Sequence, residues 1–171
     1  MKKLLPIYLL LILAVATRFL PHPANFTAIG AIAMFGGLYL PRRYALVGPL
    51  VAMFVSDIFL GFYHPATMAS VYLGFIVMTG IGLAVRKKKK ITTVLGGTIL
   101  GSIFFYLITN FSVWIFGGMY AHTLSGLAQC YYMALPFFKN TLAGDLTYVT
   151  VLVGGYELIT RTANQYCLNR Q

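Results

Sequence analysis

Thr67–Val85, TMASVYLGFIVMTGIGLAV, runs directly into the basic cluster Arg86-Lys87-Lys88-Lys89-Lys90, and a second apolar run, Ile91–Gly117, ITTVLGGTILGSIFFYLITNFSVWIFG, follows at once. Neither apolar run contains an acidic or basic residue. A bilayer core of about 30 Å needs about 20 mostly apolar residues in helix, so the stretch reads as two membrane spans hinged on a cationic turn. Lys and Arg next to spans mark the cytoplasmic side, which puts residues 86–90 inside the cell. Continuous apolar runs do not alternate as barrel strands do.

Working outward, four further apolar segments complete an all-α integral membrane protein of six transmembrane helices in one domain. The spans are Leu4–Leu20, Phe26–Leu40, Tyr44–Leu60, Thr67–Val85, Ile91–Gly117 and Asn140–Thr160, with breakers at Pro21, Pro23, Pro41, Pro65 and Pro136 between them. In that arrangement eleven of the 13 basic residues fall on one side, and only Arg18 and Lys139 lie opposite. Both termini are then cytoplasmic, and the protein sits multi-pass in the cytoplasmic (inner) membrane. Lys2–Lys3, the apolar run and Ala14-Val15-Ala16 also fit a cleaved secretory signal; cleavage would leave the rest of the topology unchanged.

Composition agrees. Hydrophobic residues are 59% and charged residues 9% of the chain, against about 25% charged in soluble proteins, and mean hydropathy is +0.80. A soluble enzyme, a disordered tail and a disulfide-stapled secreted module are excluded. The net charge of +10 is accounted for by topology and anionic lipid rather than by nucleic acid. Cys130 and Cys167 fall on opposite sides of the six-span arrangement and cannot pair within the chain.

Polar residues gather at the outer level of the spans. Arg18 ends the first, Asn25 and Thr27 open the second, Ser56 and Asp57 lie in the outer third of the third, and Asn110, Ser112 and Trp114 lie near the outer end of the fifth. Lys139, Asn140 and Asp145 begin the sixth, and His22, His64 and His122 fall one in each outer loop. Charges inside a membrane usually face a bundle interior or a water-filled cavity. Arg18 and Lys139 are the counter-charges at the level of Asp57 and Asp145. This predicts an outward-facing small-molecule pocket with aromatic walls; residues 118–138 are either a short interfacial helix lying over it as a lid or an ordinary amphipathic loop at the headgroup level.

Other features read structurally. Glu157 and Arg161 are spaced as a helical ion pair, Gly97-x-x-x-Gly101 allows close packing on a neighbour within the chain or outside it, and Pro49 is a candidate kink. No zinc-protease, nucleophile-elbow or Walker motif is present. The residues do not point to an enzyme, and no resident cofactor or metal is assigned. Two alternatives stay open: a structural or assembly protein whose polar cluster only locks the bundle, and a membrane enzyme with a His-held metal.

Arg18-Phe-Leu-Pro-His-Pro-Ala-Asn-Phe-Thr with Ala28-Ile-Gly-Ala-Ile-Ala-Met-Phe-Gly-Gly, Leu135-Pro-Phe-Phe-Lys-Asn-Thr-Leu-Ala-Gly-Asp-Leu, Ser56-Asp57-Ile-Phe-Leu-Gly and Thr109-Asn110-Phe together carry a resemblance over most of the chain. It resembles a family of small six-helix bacterial membrane proteins of no assigned function. That family is similar in turn to the S components, the substrate-binding subunits of energy-coupling-factor (ECF) vitamin transporters. The resemblance implies a vitamin or cofactor precursor as substrate, with cobalamin, a cobalt-containing corrinoid, as the lead. An ECF coupling protein and its ATPases are the implied partners besides the lipid bilayer. Arg18, His22, Asn25, Asp57, His64, Asn110, Trp114, His122, Lys139, Asn140 and Asp145 are the expected binding residues. Ala14 is followed four residues on by Arg18, a departure from the Ala-x-x-x-Ala docking pattern of S components that share a coupling module.

Overall fold

A computed structural model describes residue 12 and residues 15–168, apart from the side chains at 164 and 166–168. The predicted span Leu4–Leu20, the Ala14-Val15-Ala16 site, Lys2, Lys3 and Arg170 therefore lie largely or wholly outside the described residues. A 3₁₀ turn, Thr17–Phe19, leads into α1 (Ile29–Tyr39), the short α2 (Arg42–Ala45), α3 (Val47–Leu60), α4 (Pro65–Val85), α5 (Ile91–Phe116) and α6 (Leu124–Leu168). No strand occurs among the described residues. Four helical stretches, Arg42–Leu60, Pro65–Val85, Ile91–Phe116 and Leu124–Ala163, are long and apolar enough to cross a membrane.

The centre of the bundle is α1. A helix that is apolar on every side has no solvent face and must be buried, and every residue from Ile29 to Leu38 is buried. It packs chiefly on α4 and α6 and touches the other helices as well. Its 11 residues rise about 16 Å, roughly half of the ~30 Å hydrocarbon core, so α1 is shorter than the predicted span Phe26–Leu40. It stops because Leu40 precedes Pro41 and is extended, as residues before proline prefer. The outer faces of α3, α5 and α6 are apolar and open: Phe59 is 74% and Leu158 67% exposed, the pattern of side chains that meet lipid.

The C-terminal end of α1 is capped from a distance. Arg86 Nε donates to the Gly37 carbonyl at 2.9 Å, and its terminal nitrogen donates to the Leu40 carbonyl. Lys89 lies 4.2 Å over the Tyr39 ring, so two members of the basic cluster are held by the protein. Lysine has no fork to reach two carbonyls. Arg86→Lys should cost about 1–2 kcal/mol of stability, read as a lower unfolding midpoint in detergent.

Three expectations meet the structure here, and the last two are corrected. First, the predicted span Tyr44–Leu60 is interrupted beside Pro49: the proline sits in the first turn of α3, where the missing N–H has no partner in any case, and the helix breaks at Leu46, between α2 and α3. Second, Glu157 does not pair with Arg161. It accepts the Tyr39 hydroxyl at 2.7 Å, and the ion pair found among the described residues is Arg18–Asp57. Third, residues 118–138 are neither a loop nor a separate short helix hinged at Pro136, because α6 begins at Leu124 and continues through Pro136 for 45 residues. Thr123 caps it, its Oγ1 accepting the Gly126 N–H at 3.1 Å in the usual N-cap manner. Neighbouring helices allow a membrane helix to carry a proline.

Gly97 and Gly101 face a neighbour within the chain. A Cβ on Gly97 would come within 2.9 Å of Ile81, and one on Gly101 would overlap Met78, both on α4.

Candidate functional site

Between Leu20 and Ala28 the backbone is irregular, and Asn25 adopts a left-handed conformation with φ 63°, one that Asn tolerates better than most residues. Irregular backbone at membrane depth persists only where protein covers it or where it lines a cavity. Here it lines one. Asn25 and Thr27 form part of the wall of a cavity of about 270 Å³ at the N-terminal end of α1. Arg18, Tyr63, Thr141 and Asp145 supply the other polar groups, and Val71, Phe75, Met78 and Phe105 supply the apolar walls.

Arg18 reaches the cavity from the turn before α1 and is held on α3. Its guanidinium donates to Asp57 Oδ1 at 3.1 Å, to the Ser56 hydroxyl and to the Met53 sulfur at 3.2 Å. The other Asp57 oxygen accepts the Tyr72 hydroxyl of α4 at 3.1 Å. The Asp57 side chain is 1% exposed, so the pair is buried and each charge depends on the other. Tyr63 lies beside it in the α3–α4 turn. Partial burial pushes its hydroxyl up to about 12, with Asp57 adding to the shift and Arg18 opposing it, so it stays a neutral donor at physiological pH.

Asp145 is held differently. Its side chain is buried, and among the described residues its hydrogen bond comes from Ser102 of α5, at 2.7 Å to Oδ2. Gly30 lets the carboxylate approach the first turn of α1, since a Cβ there would overlap it. A Cβ on Gly144 would stand 3.2 Å from the Thr27 N–H nitrogen, so α6 closes onto the irregular segment. The predicted partner Lys139 does not reach Asp145. Six residues along a helix turn the side chains about 240° apart, and Lys139 is exposed.

A second chamber of about 310 Å³ adjoins the first, with Asn25, Val71, Phe105 and Thr141 in both walls. Asn110 belongs to this chamber, its amide donating to the Tyr106 carbonyl at 2.8 Å. Asn140 donates to the Ala24 carbonyl at 2.9 Å and ties α6 to the irregular segment. Cys130, buried on α6, has its sulfur 3.4 Å from the Asn110 carbonyl.

Of the eleven residues expected at the site, Arg18, Asn25, Asn110 and Asp145 line the two chambers, while Asp57 holds Arg18 and Asn140 holds Ala24, next to the wall residue Asn25. The histidines do not gather. His22 bonds the Pro23 carbonyl, His64 stacks on Phe116, and His122 packs edge-on against Trp114. Trp114 donates to the Ala121 carbonyl at 2.9 Å, fastening the turn before α6. No three His, Cys, Asp or Glu side chains come together as a metal site among the described residues. Thr27, Tyr63 and Thr141 belong to the polar and aromatic outer level predicted from sequence but not to the eleven expected binding residues, and Ser102 was not anticipated. Small hydroxyls in an apolar helix carry little sequence signal, although Thr141 and Asp145 share a face at i, i+4.

No curated protein and no solved structure matches this chain. Residues 1–166 match the model of a family of unknown function (DUF6580), and the chain belongs to that family.

Proposed function

We propose that the chain is a membrane uptake protein that binds a small molecule in this two-chambered cavity, in the manner of an ECF transporter S component. The observation that carries the reading is the convergence of polar groups from the turn before α1, the irregular segment, the α3–α4 turn and α6 onto one cavity otherwise walled by aromatic and aliphatic side chains. Small-molecule sites are built this way, with few polar groups in an apolar cleft. In this reading six spans cross the membrane, the first two being the predicted Leu4–Leu20 and Phe26–Leu40. Both termini are cytoplasmic in the inner membrane, the cavity opens outward, and an ECF coupling protein with ATPases drives transport.

Size bears on the substrate. The two chambers together fall within the roughly 300–1,000 Å³ of drug-sized sites. A vitamin precursor of modest size fits that volume better than a corrinoid, which would need the chambers to widen. A second reading, a protein whose polar cluster only locks the bundle, is favoured by one observation: Arg18, Ser56, Asp57 and Tyr72 satisfy one another. It gives no role to the space beside Asp145.

Ligand-induced thermal stabilisation separates the two. A bound ligand at about 100 times its Kd adds about 2.7 kcal/mol. One member of a panel of vitamins and precursors, cobalamin included, should raise the melting temperature of the wild type. Thr141→Trp, which puts an indole where the two chambers meet, should melt near the unliganded wild type and lose that response. A panel with no effect on the wild type would favour the locking role.

A further inference from the structure

We propose that the ligand of this cavity is a compact organic cation, an ammonium or other positively charged nitrogen on an aromatic or aliphatic body, with its charge held by Asp145. The inference rests on the binding role proposed above and adds the class of ligand. Besides the tyrosines Tyr63 and Tyr106, the charged or ionisable residues among the described residues of the two chamber walls are Arg18 and Asp145. The charge of Arg18 is already matched, because Asp57 lies 3.1 Å from its Nη1, the same nitrogen that reaches Ser56 and Met53. An anionic ligand would have to share that guanidinium with a buried carboxylate.

Among the described residues Asp145 has no such match. It receives the Ser102 hydroxyl on one oxygen and abuts the first turn of α1 at Gly30. A helix N-terminus supplies about half a positive charge, so the site remains short of a cation. A buried carboxylate without a counter-charge is costly, and a positive ligand offsets that cost. The remaining wall suits the body of such a ligand. Phe75 and Phe105 lie with ring centroids 5.2 Å apart, and aromatic faces attract cations. A bare metal ion would leave most of a cavity of about 270 Å³ unfilled.

The test is a charge series on matched skeletons. Phenethylammonium and tryptammonium are compared with 2-phenylethanol and tryptophol, and with phenylacetate and indole-3-acetate. Binding to the detergent-solubilised wild type is measured by calorimetry, with sodium chloride and potassium chloride as separate arms. The ammonium member of each set should bind at least ~10-fold tighter than its alcohol, and the carboxylate should not bind. Asp145→Asn should weaken the ammonium compounds by ~10–100-fold and bring them level with the alcohols. The wild-type series decides the matter even if that variant does not fold. Equal or tighter binding of the alcohols or carboxylates would overturn the cation assignment and leave the binding role standing. Binding of sodium or potassium alone would overturn it in favour of an inorganic ion. If no member binds, the assignment falls; the binding role then falls with it only if the purified wild type also carries no small molecule by native mass spectrometry.

Discussion

Arg18→Met should destabilise the folded protein by about 3–5 kcal/mol, the usual consequence of leaving one member of a buried ion pair without its partner. Asp57 would keep the Tyr72 hydroxyl at 3.1 Å and lose the guanidinium, along with the link from the turn before α1 to Ser56 and Met53. The stranded charge is the cause, so removing it should reverse most of the loss. Arg18→Met with Asp57→Leu should recover to within about 1–2 kcal/mol of the wild type, since apolar replacement of a whole buried pair is often close to neutral. Denaturation in mixed micelles gives both values. A single variant as stable as the wild type would mean that the pair is solvated and does not hold the bundle together.

Gly37→Ala should cost about 2–3 kcal/mol, at the upper end of overpacking, because backbone rather than a side chain stands in the way. The new methyl would overlap the Thr79 carbonyl and lie 2.8 Å from the Gly82 Cα, forcing α1 away from α4 along the tightest seam of the core. Gly82→Ala meets the same seam from the other side, 2.6 Å from the Met34 carbonyl. The two together should cost less than their sum, because the first separation makes room for the second methyl. Gly96→Ala is the control. Nothing lies within 4 Å of its Cβ position, and removing a helical glycine there should leave the unfolding midpoint unchanged or raise it. Equal effects at positions 37 and 96 would contradict the close contact.

The middle of the fold was legible because its signals are strong. Uninterrupted apolar runs bounded by Pro65, the 86–90 cluster and Gly117 place α4 and α5 to within two residues. The Arg18–Asp57 pair was legible too, because few charges occupy the outer level and a buried acid needs a cation. Thr123 and Pro136 compete as markers of the last helix, and proline was read as the boundary. Yet the cap at Thr123 sets the start of α6, and the helix runs through the proline. Lys139 was paired with Asp145 by depth alone, which ignores that six residues of helix turn them to different faces.

The histidines share a level in the six-span arrangement, but their contacts depend on loop geometry that composition does not encode. The cavity itself was legible only as a depth. Its walls depend on small residues, Gly30 and Gly144 among them, that let α6 close onto the irregular segment, and absence of bulk leaves no mark in a hydropathy pattern.

The central claim is that the space beside Asp145 holds a small molecule. Native mass spectrometry of the protein, purified in mild detergent from cells grown in rich medium, tests it most directly. The wild type should carry a discrete additional mass that is absent from Thr141→Trp, and fragmentation of that mass would give its chemical class. A wild type that flies as the bare polypeptide, and stays bare after incubation with the vitamin and amine panels, would contradict the claim and leave the polar cluster as a lock between helices.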